Sequence, residues 1–128
     1  MILKKIIIEF TDNPDDISNH GIGTYYYLPS GKLLVRAYMK DEKSFNEAWL
    51  IAIHELVEQR LTEQRGISEP VIDAFDKMID KQGGQADEAG NEPNSPYKRE
   101  HRFAENIERQ LAYELGIDWF EYYDNYQI

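Results

Sequence analysis

The fold is decided by the stretch LLVRAYMKDEKSFNEAWLIAIHEL, residues 33–56. Its first part, residues 33–39, is a short and mainly apolar run that is typical of a β-strand. From Ser44 onward the apolar residues recur every three or four positions, which is the period of an amphipathic α-helix. The change of period near Ser44 therefore predicts a β part that is followed by a helical part.

Two further strands are predicted upstream of this stretch. Residues 2–10 are rich in isoleucine and predict a buried strand, and residues 21–28 form a second β-prone run with three consecutive tyrosines. The sequence Pro-Ser-Gly-Lys at 29–32 is typical of a turn, so residues 22–39 are predicted to form an antiparallel hairpin. We therefore expect a small three-stranded, mainly antiparallel sheet.

Apolar periodicity predicts three or four helices after the sheet. Ser44 and Glu47 match a capping box at the start of the first helix, and Gly66 is expected to end it. A second helix is predicted to begin at Ser68, and Asp118 is expected to cap a short aromatic helix near the C-terminus. Between them, residues 97–115 predict the remaining long helix.

This order of elements predicts an α+β fold in a single domain, 1–128. Its β part covers residues 1–40 and its helical part residues 41–128. Residues 82–96 are rich in glycine and proline, so they are predicted to form a flexible loop within the helical part.

Composition narrows the classes of function. Fourteen lysines and arginines against 24 aspartates and glutamates give a net charge of −10, which argues against nucleic acid and anionic membranes as partners. The absence of cysteine excludes disulfides, zinc–thiolate sites and thiol nucleophiles. No apolar run reaches the ~20 residues of a membrane span. The absence of cysteine fits a reducing compartment, so we expect a cytoplasmic protein.

A candidate metal site emerges from two helices that carry the same pair of side chains. His54 and Glu58 are four residues apart on the first helix, so they leave the same face, and His101 and Glu105 repeat this spacing on the later helix. If the two helices face each other, two imidazoles and two carboxylates meet at one centre. Such a set suits zinc foremost, and also manganese or ferrous iron.

The segment from the hairpin to His101 resembles the zincins, the metallopeptidase superfamily with a His-Glu-x-x-His helix. The resemblance implies that His54 is a ligand, that Glu55 is the general base for peptide hydrolysis, and that His101 is the distal ligand. Glu58 stands where the second zincin histidine would be, so it would act as a substitute ligand.

A second resemblance joins the helix motif to the later helix. His54-Glu55-Leu56-Val57-Glu58, together with Pro96-Tyr97, Glu100-His101, Ala104-Glu105 and Glu108-Arg109, is similar to small uncharacterised phage and prophage proteins. This resemblance implies no particular activity.

Simpler interpretations stand beside the metal site. In a chain with 30% charged residues, histidine–glutamate pairs arise by chance, and Glu55 and Glu58 would then be surface carboxylates. Glu105 and Glu108 would pair with neighbouring arginines, although Glu108 shares the core-facing row with His101. The protein would then be an acidic, non-catalytic interaction module for a peptide or protein partner. A third interpretation is a structural metal site closed by four ligands.

Overall fold

A computed structural model describes residues 2–84 and 86–126 of the protein, without the side chains of residues 86–88. The strands are β1 (Ile6–Thr11), β2 (Gly23–Tyr27) and β3 (Leu33–Tyr38). The α-helices are α1 (Phe45–Gln64), α2 (Glu69–Lys81), α3 (Lys98–Glu114) and α4 (Trp119–Tyr126). The strands precede the helices, so the predicted α+β fold is confirmed.

The three strands form a mixed sheet in the order β1-β3-β2. The hairpin prediction is confirmed, because β2 pairs antiparallel with β3. The expectation of a mainly antiparallel sheet is wrong for β1, which runs parallel to β3 with Ile8 opposite Val35. The reason is that β3, the most apolar and most buried strand, takes the central position instead of following β2 outward.

The prediction of a strand within residues 2–10 is confirmed for residues 6–10, but the expectation that it is buried is wrong. The strand begins only at Ile6 and lies at the edge of the sheet, with Ile6 55% and Ile8 39% exposed. The cause is the position of α1, which packs over β3 and β2 and leaves the outer part of β1 uncovered.

Helix α1 lies at the centre of the molecule, between the sheet and α3. It therefore has buried residues on more than one face, including polar ones, unlike an amphipathic surface helix. The apolar core between the sheet and the helices consists of Leu33, Val35, Ala37, Leu50, Ile51, Ala52, Ala112 and Tyr122. No helix in the described part of the chain combines the length and the apolar character that crossing a bilayer requires.

The helix ends follow the sequence at Gly66, Ser68 and Asp118, but not at Ser44. Gly66 and Gly116 adopt positive φ angles of 73° and 70°, two residues after the last residues of α1 and α3, where a left-handed residue ends the helix. Asp118 caps α4 by accepting a hydrogen bond of 2.9 Å from the backbone N–H of Glu121. The capping box at Ser44 is not formed, because Asp41 accepts the bond from the Ser44 N–H at 3.0 Å.

The predicted loop at residues 82–96 contains a short 3-10 helix, Ala86–Asn91, which contacts α2 and α3. Ala89 and Gly90 are buried there, and Gln85 lies outside the described residues. This segment therefore brings backbone against α3 beside His101.

Candidate metal centre

The contact between α1 and α3 places the candidate ligands. His54 and Glu58 lie one turn apart on α1, and His101 lies near the start of α3. All three residues are buried, with exposed fractions of 9%, 5% and 3%. Ionisable side chains buried this deeply need partners, so their mutual arrangement is informative.

Three ligand atoms form a small triangle. The Nε2 atom of His54 lies 3.1 Å from Oε2 of Glu58 and 3.2 Å from Nδ1 of His101. The Nδ1 atom of His101 lies 2.9 Å from the same Glu58 oxygen. Zinc–nitrogen bonds of about 2.0–2.1 Å in a tetrahedral site put ligand atoms about 3.3 Å apart. The triangle is therefore within a few tenths of an ångström of one face of a tetrahedral metal site.

Glu105, the fourth predicted ligand, lies elsewhere around the histidine. Its Oε2 atom is 3.7 Å from Nε2 of His101, the ring nitrogen that does not belong to the triangle. The structure thus brings together His54, Glu58 and His101, whereas Glu105 is beside the opposite edge of the His101 ring. A one-turn spacing on a helix indicates a shared face but does not tell which ring nitrogen the carboxylate meets.

Glu108 is the contact that sets the orientation of His54. The Nδ1–H group of His54 donates to Oε1 of Glu108 at 2.7 Å, and the hydroxyl of Tyr122 donates to the other Glu108 oxygen. With its proton held on Nδ1, a neutral His54 ring would present the Nε2 lone pair to the triangle. The position of Glu108 in the core-facing row of α3 indicated that it is buried. The sequence did not indicate that Glu108 orients His54.

Tyr25 on β2 holds the remaining oxygen of Glu58. Its hydroxyl donates to Oε1 of Glu58 at 3.1 Å, so Oε2 is left to face the two histidines. The sequence carries no pattern that links this tyrosine to a glutamate on α1.

The electrostatics of the cluster follow from these contacts. Burial acts to lower the pKa of His54, but the Glu108 carboxylate and the hydrogen bonds to Glu108 and Glu58 outweigh it and hold that pKa well above 6.5. Burial likewise acts to raise the pKa of Glu58, but hydrogen bonds with His101 and His54 outweigh it and lower that pKa from 4.5 to about 2. The metal-free site therefore favours a protonated His54 and an ionised Glu58.

His101 has one polar atom without a partner among the described residues. Its Nε2 atom is buried and makes no hydrogen bond, since the Glu105 oxygen at 3.7 Å is too far away. The ring is packed tightly, because a Cβ atom added at Gly90 would lie 2.2 Å from its Cγ. If Nδ1 bound a metal ion, the proton of the neutral ring would be on Nε2, which lies 3.7 Å from the Glu105 carboxylate.

A polar cavity of about 470 Å³ adjoins the triangle. The three triangle residues line it together with Glu55, and Tyr97 and Asp76 form part of its wall. The side chain of Glu55 rests on Gly23 of β2, where an added Cβ atom would lie 2.6 Å from the Glu55 carboxylate. A molecule in this cavity can therefore reach both the triangle and Glu55.

Comparisons of the chain with protein-family models, with curated proteins and with solved structures find no match. The interpretation of the site therefore rests on its own chemistry.

Proposed function

We propose that this protein binds one divalent metal ion through Nε2 of His54, Oε2 of Glu58 and Nδ1 of His101. The observation that carries the proposal is the triangle of these three buried atoms, with edges of 2.9–3.2 Å. Two imidazoles and one carboxylate are ligands that zinc accepts, and manganese and ferrous iron accept them too.

Charge balance supports the same proposal. Glu58 and Glu108 place two carboxylates around His54 in a buried part of the protein, where unpaired charge is costly. One protonated histidine offsets only one of them. A divalent ion bound to two neutral imidazoles offsets both, and Glu108 then orients His54 as a carboxylate–histidine–metal unit.

The site further supports a hydrolase that acts on peptides. Three protein ligands leave a coordination position for water, and the adjoining cavity offers room for a substrate. Glu55 lines that cavity on the same helix as two of the ligands and would take a proton from the water as it attacks the carbonyl carbon. This assignment agrees with the resemblance of the helix to the zincins.

One observation favours a different function. Both ring nitrogens of His54 already lie within hydrogen-bond distance of carboxylates, Glu108 on one side and Glu58 on the other. The cluster would then be a metal-free structural network that joins α1 to α3. The acidic protein would be a non-catalytic interaction module for a basic peptide or protein.

Metal content distinguishes the two functions. The purified protein is loaded with zinc, dialysed and analysed by elemental mass spectrometry, and we expect about one zinc ion per chain. H54A and H101A are expected to lose the metal, and E58Q to bind it at least tenfold more weakly. H20A is the matched control, because His20 is exposed and is the only other histidine. A folded protein that retains no zinc, manganese or iron would contradict the proposal.

Hydrolysis is tested separately with E55Q. The amide keeps the shape of the side chain and loses the base, so we expect full metal content and a peptide-cleavage rate lower by about 10²–10⁴-fold. E114Q is the control, since Glu114 is an exposed residue near the other end of α3. An E55Q variant that cleaves as fast as the natural protein would exclude Glu55 as the base. If the metal-loaded protein cleaves no member of a peptide library, the site is a structural metal site and the hydrolase proposal is excluded.

A further inference from the structure

The outer edge of β1 has no strand partner among the described residues, because β1 is the first strand in the order β1-β3-β2. The carbonyl groups of Lys5 and Thr11 accept hydrogen bonds from the next strand, from Leu33 at 3.2 Å and Met39 at 2.8 Å. Backbone groups alternate in direction along a strand. The N–H and C=O groups of Ile6 and Ile8 therefore point away from β3, toward the free edge.

The side chains on one face of this edge are apolar. Ile6 and Ile8 project on the face that α1 covers elsewhere, yet they are 55% and 39% exposed. Exposed edge strands normally carry features that prevent pairing with another chain, such as proline, a bulge or inward-pointing charge. This edge combines free backbone groups with exposed isoleucines, so it is suited to accept another strand.

The sequence of β1 is complementary to itself. Lys5-Ile6-Ile7-Ile8-Glu9 has a positive residue at one end, a negative one at the other and isoleucine between. In an antiparallel pair of two such strands centred on Ile7, each Lys5 lies opposite Glu9 of the other copy and each Ile6 lies opposite Ile8. Opposite charges and apolar residues in directly opposed positions stabilise antiparallel pairs.

Only this register satisfies both the backbone and the charges. The residues whose backbone groups point outward, Ile6 and Ile8, become the hydrogen-bonded pairs. A shift that moves the centre to Ile6 places Lys5 opposite Ile7, and a shift of the centre to Ile8 places Lys5 opposite Thr11. Both shifts remove the two charge pairs.

We propose that the protein forms a two-fold symmetric dimer in which β1 pairs antiparallel with β1 of a second copy, centred on Ile7. The two three-stranded sheets become one six-stranded sheet. Closed, self-complementary contacts of this kind are the commonest form of protein oligomer. Glu9 is already oriented by Arg36, whose Nε–H group donates to it at 2.9 Å, and Lys5 of the second copy adds a second cation. The metal centre adjoins β2, on the other side of the sheet, so this inference does not depend on it.

Sedimentation of the whole protein at increasing concentration tests the dimer. We expect a monomer–dimer equilibrium, and K5E and E9K are each expected to raise the dimer dissociation constant by about tenfold, because both charge pairs become repulsive. An equimolar mixture of K5E and E9K should form a mixed dimer, since in it the altered positions face opposite charges. E9K also loses the Glu9–Arg36 contact. This loss is present in the E9K chain both of its own dimer and of the mixed dimer.

A disulfide tests the register. The chain contains no cysteine, so I7C introduces a single thiol. In the proposed dimer this thiol lies opposite the cysteine at the same position of the second copy, across the two-fold axis. We expect I7C to form a covalent dimer under mild oxidation, and Y113C, whose position on α3 is 82% exposed, to form much less. A protein that stays monomeric at all concentrations would overturn the proposal. So would a mixture of K5E and E9K that associates no better than either variant alone.

Discussion

The Nδ1 atom of His54 lies 2.7 Å from Oε1 of Glu108, and this contact joins α1 to α3. The hydroxyl of Tyr122 on α4 holds the second oxygen of the same carboxylate. The orientation of one candidate ligand on α1 thus depends on side chains from two other helices.

Removing the charge of Glu108 is expected to weaken metal binding without removing it. E108Q keeps the side-chain volume but loses the carboxylate that orients His54, and such changes typically lower metal affinity about 10–100-fold. Competition with a chromogenic chelator measures the affinity. E114Q is the control, because it removes the same charge at an exposed position of the same helix. An equal loss of affinity in both variants would show that total charge, and not the orientation of His54, controls binding.

The metal-free protein is expected to lose stability in acid through Glu58. Its pKa is lowered from 4.5 to about 2 on folding, so its contribution is present above about pH 4.5 and is lost as the pH falls toward 2. The pKa of His54 is raised, so the contribution of His54 is present below about pH 6.5 and is lost as the pH rises through the raised value. Both contributions are therefore complete between about pH 4.5 and 6.5.

Urea unfolding at several pH values measures this dependence. The difference in unfolding free energy between the natural protein and E58Q should shrink as the pH falls from 4.5 to 2.5. A difference that stays constant over this range would mean that Glu58 is not stabilised in its ionised form.

Substitution of Gly90 is expected to disturb the site through packing alone. In G90A the added Cβ atom would lie 2.2 Å from Cγ of His101, so the ring or the 3-10 segment has to move. We expect a loss of about 1–3 kcal/mol in stability and weaker metal binding. G116A is the control: its positive φ costs about 1–2 kcal/mol, but nothing lies within 4 Å and metal affinity should not change. Equal metal affinity in both variants would contradict the tight packing of His101.

Gly23 offers a way to move Glu55 without changing it. In G23A the added Cβ atom would lie 2.6 Å from Oε1 and 2.7 Å from Cγ of Glu55, so the Glu55 side chain has to swing away from β2. We expect unchanged metal content, a change in stability below about 1 kcal/mol, and peptide cleavage reduced toward the level of E55Q. Cleavage at the natural rate in a folded G23A protein would show that the resting position of Glu55 is unimportant for the reaction.

The sequence predicts most of the helical part and part of the sheet. Helical periodicity and the glycines at the helix ends locate α1 and α3 because these are local properties. The place of β1 in the sheet is not local. Its isoleucine run is equally typical of a central strand, and only the competition with the more apolar β3 sends it to the edge.

The candidate site shows the same division. The spacing of His54 and Glu58 on one helix predicts that they share a face, and the contact of α1 with α3 brings His101 to them. The contacts from Tyr25 and Tyr122 could not be predicted, because each joins elements that are distant in the chain and neither has a spacing pattern. The position of Glu105 differs from the predicted one because Glu105 lies beside Nε2 of His101, whereas Glu58 lies beside Nδ1.

Through the hydrogen bond from Tyr25 to Glu58, the β-hairpin determines the orientation of the Glu58 carboxylate. Side chains alternate along β2, so sliding it by one residue against β3 would turn Tyr25 to the opposite face and release Glu58. That register depends on the turn at 28–31, where Gly31 adopts a φ of 86° and its N–H group donates to the carbonyl of Leu28. An insertion of one residue in this exposed turn would thus alter the chemistry of a centre to which the turn contributes no atom.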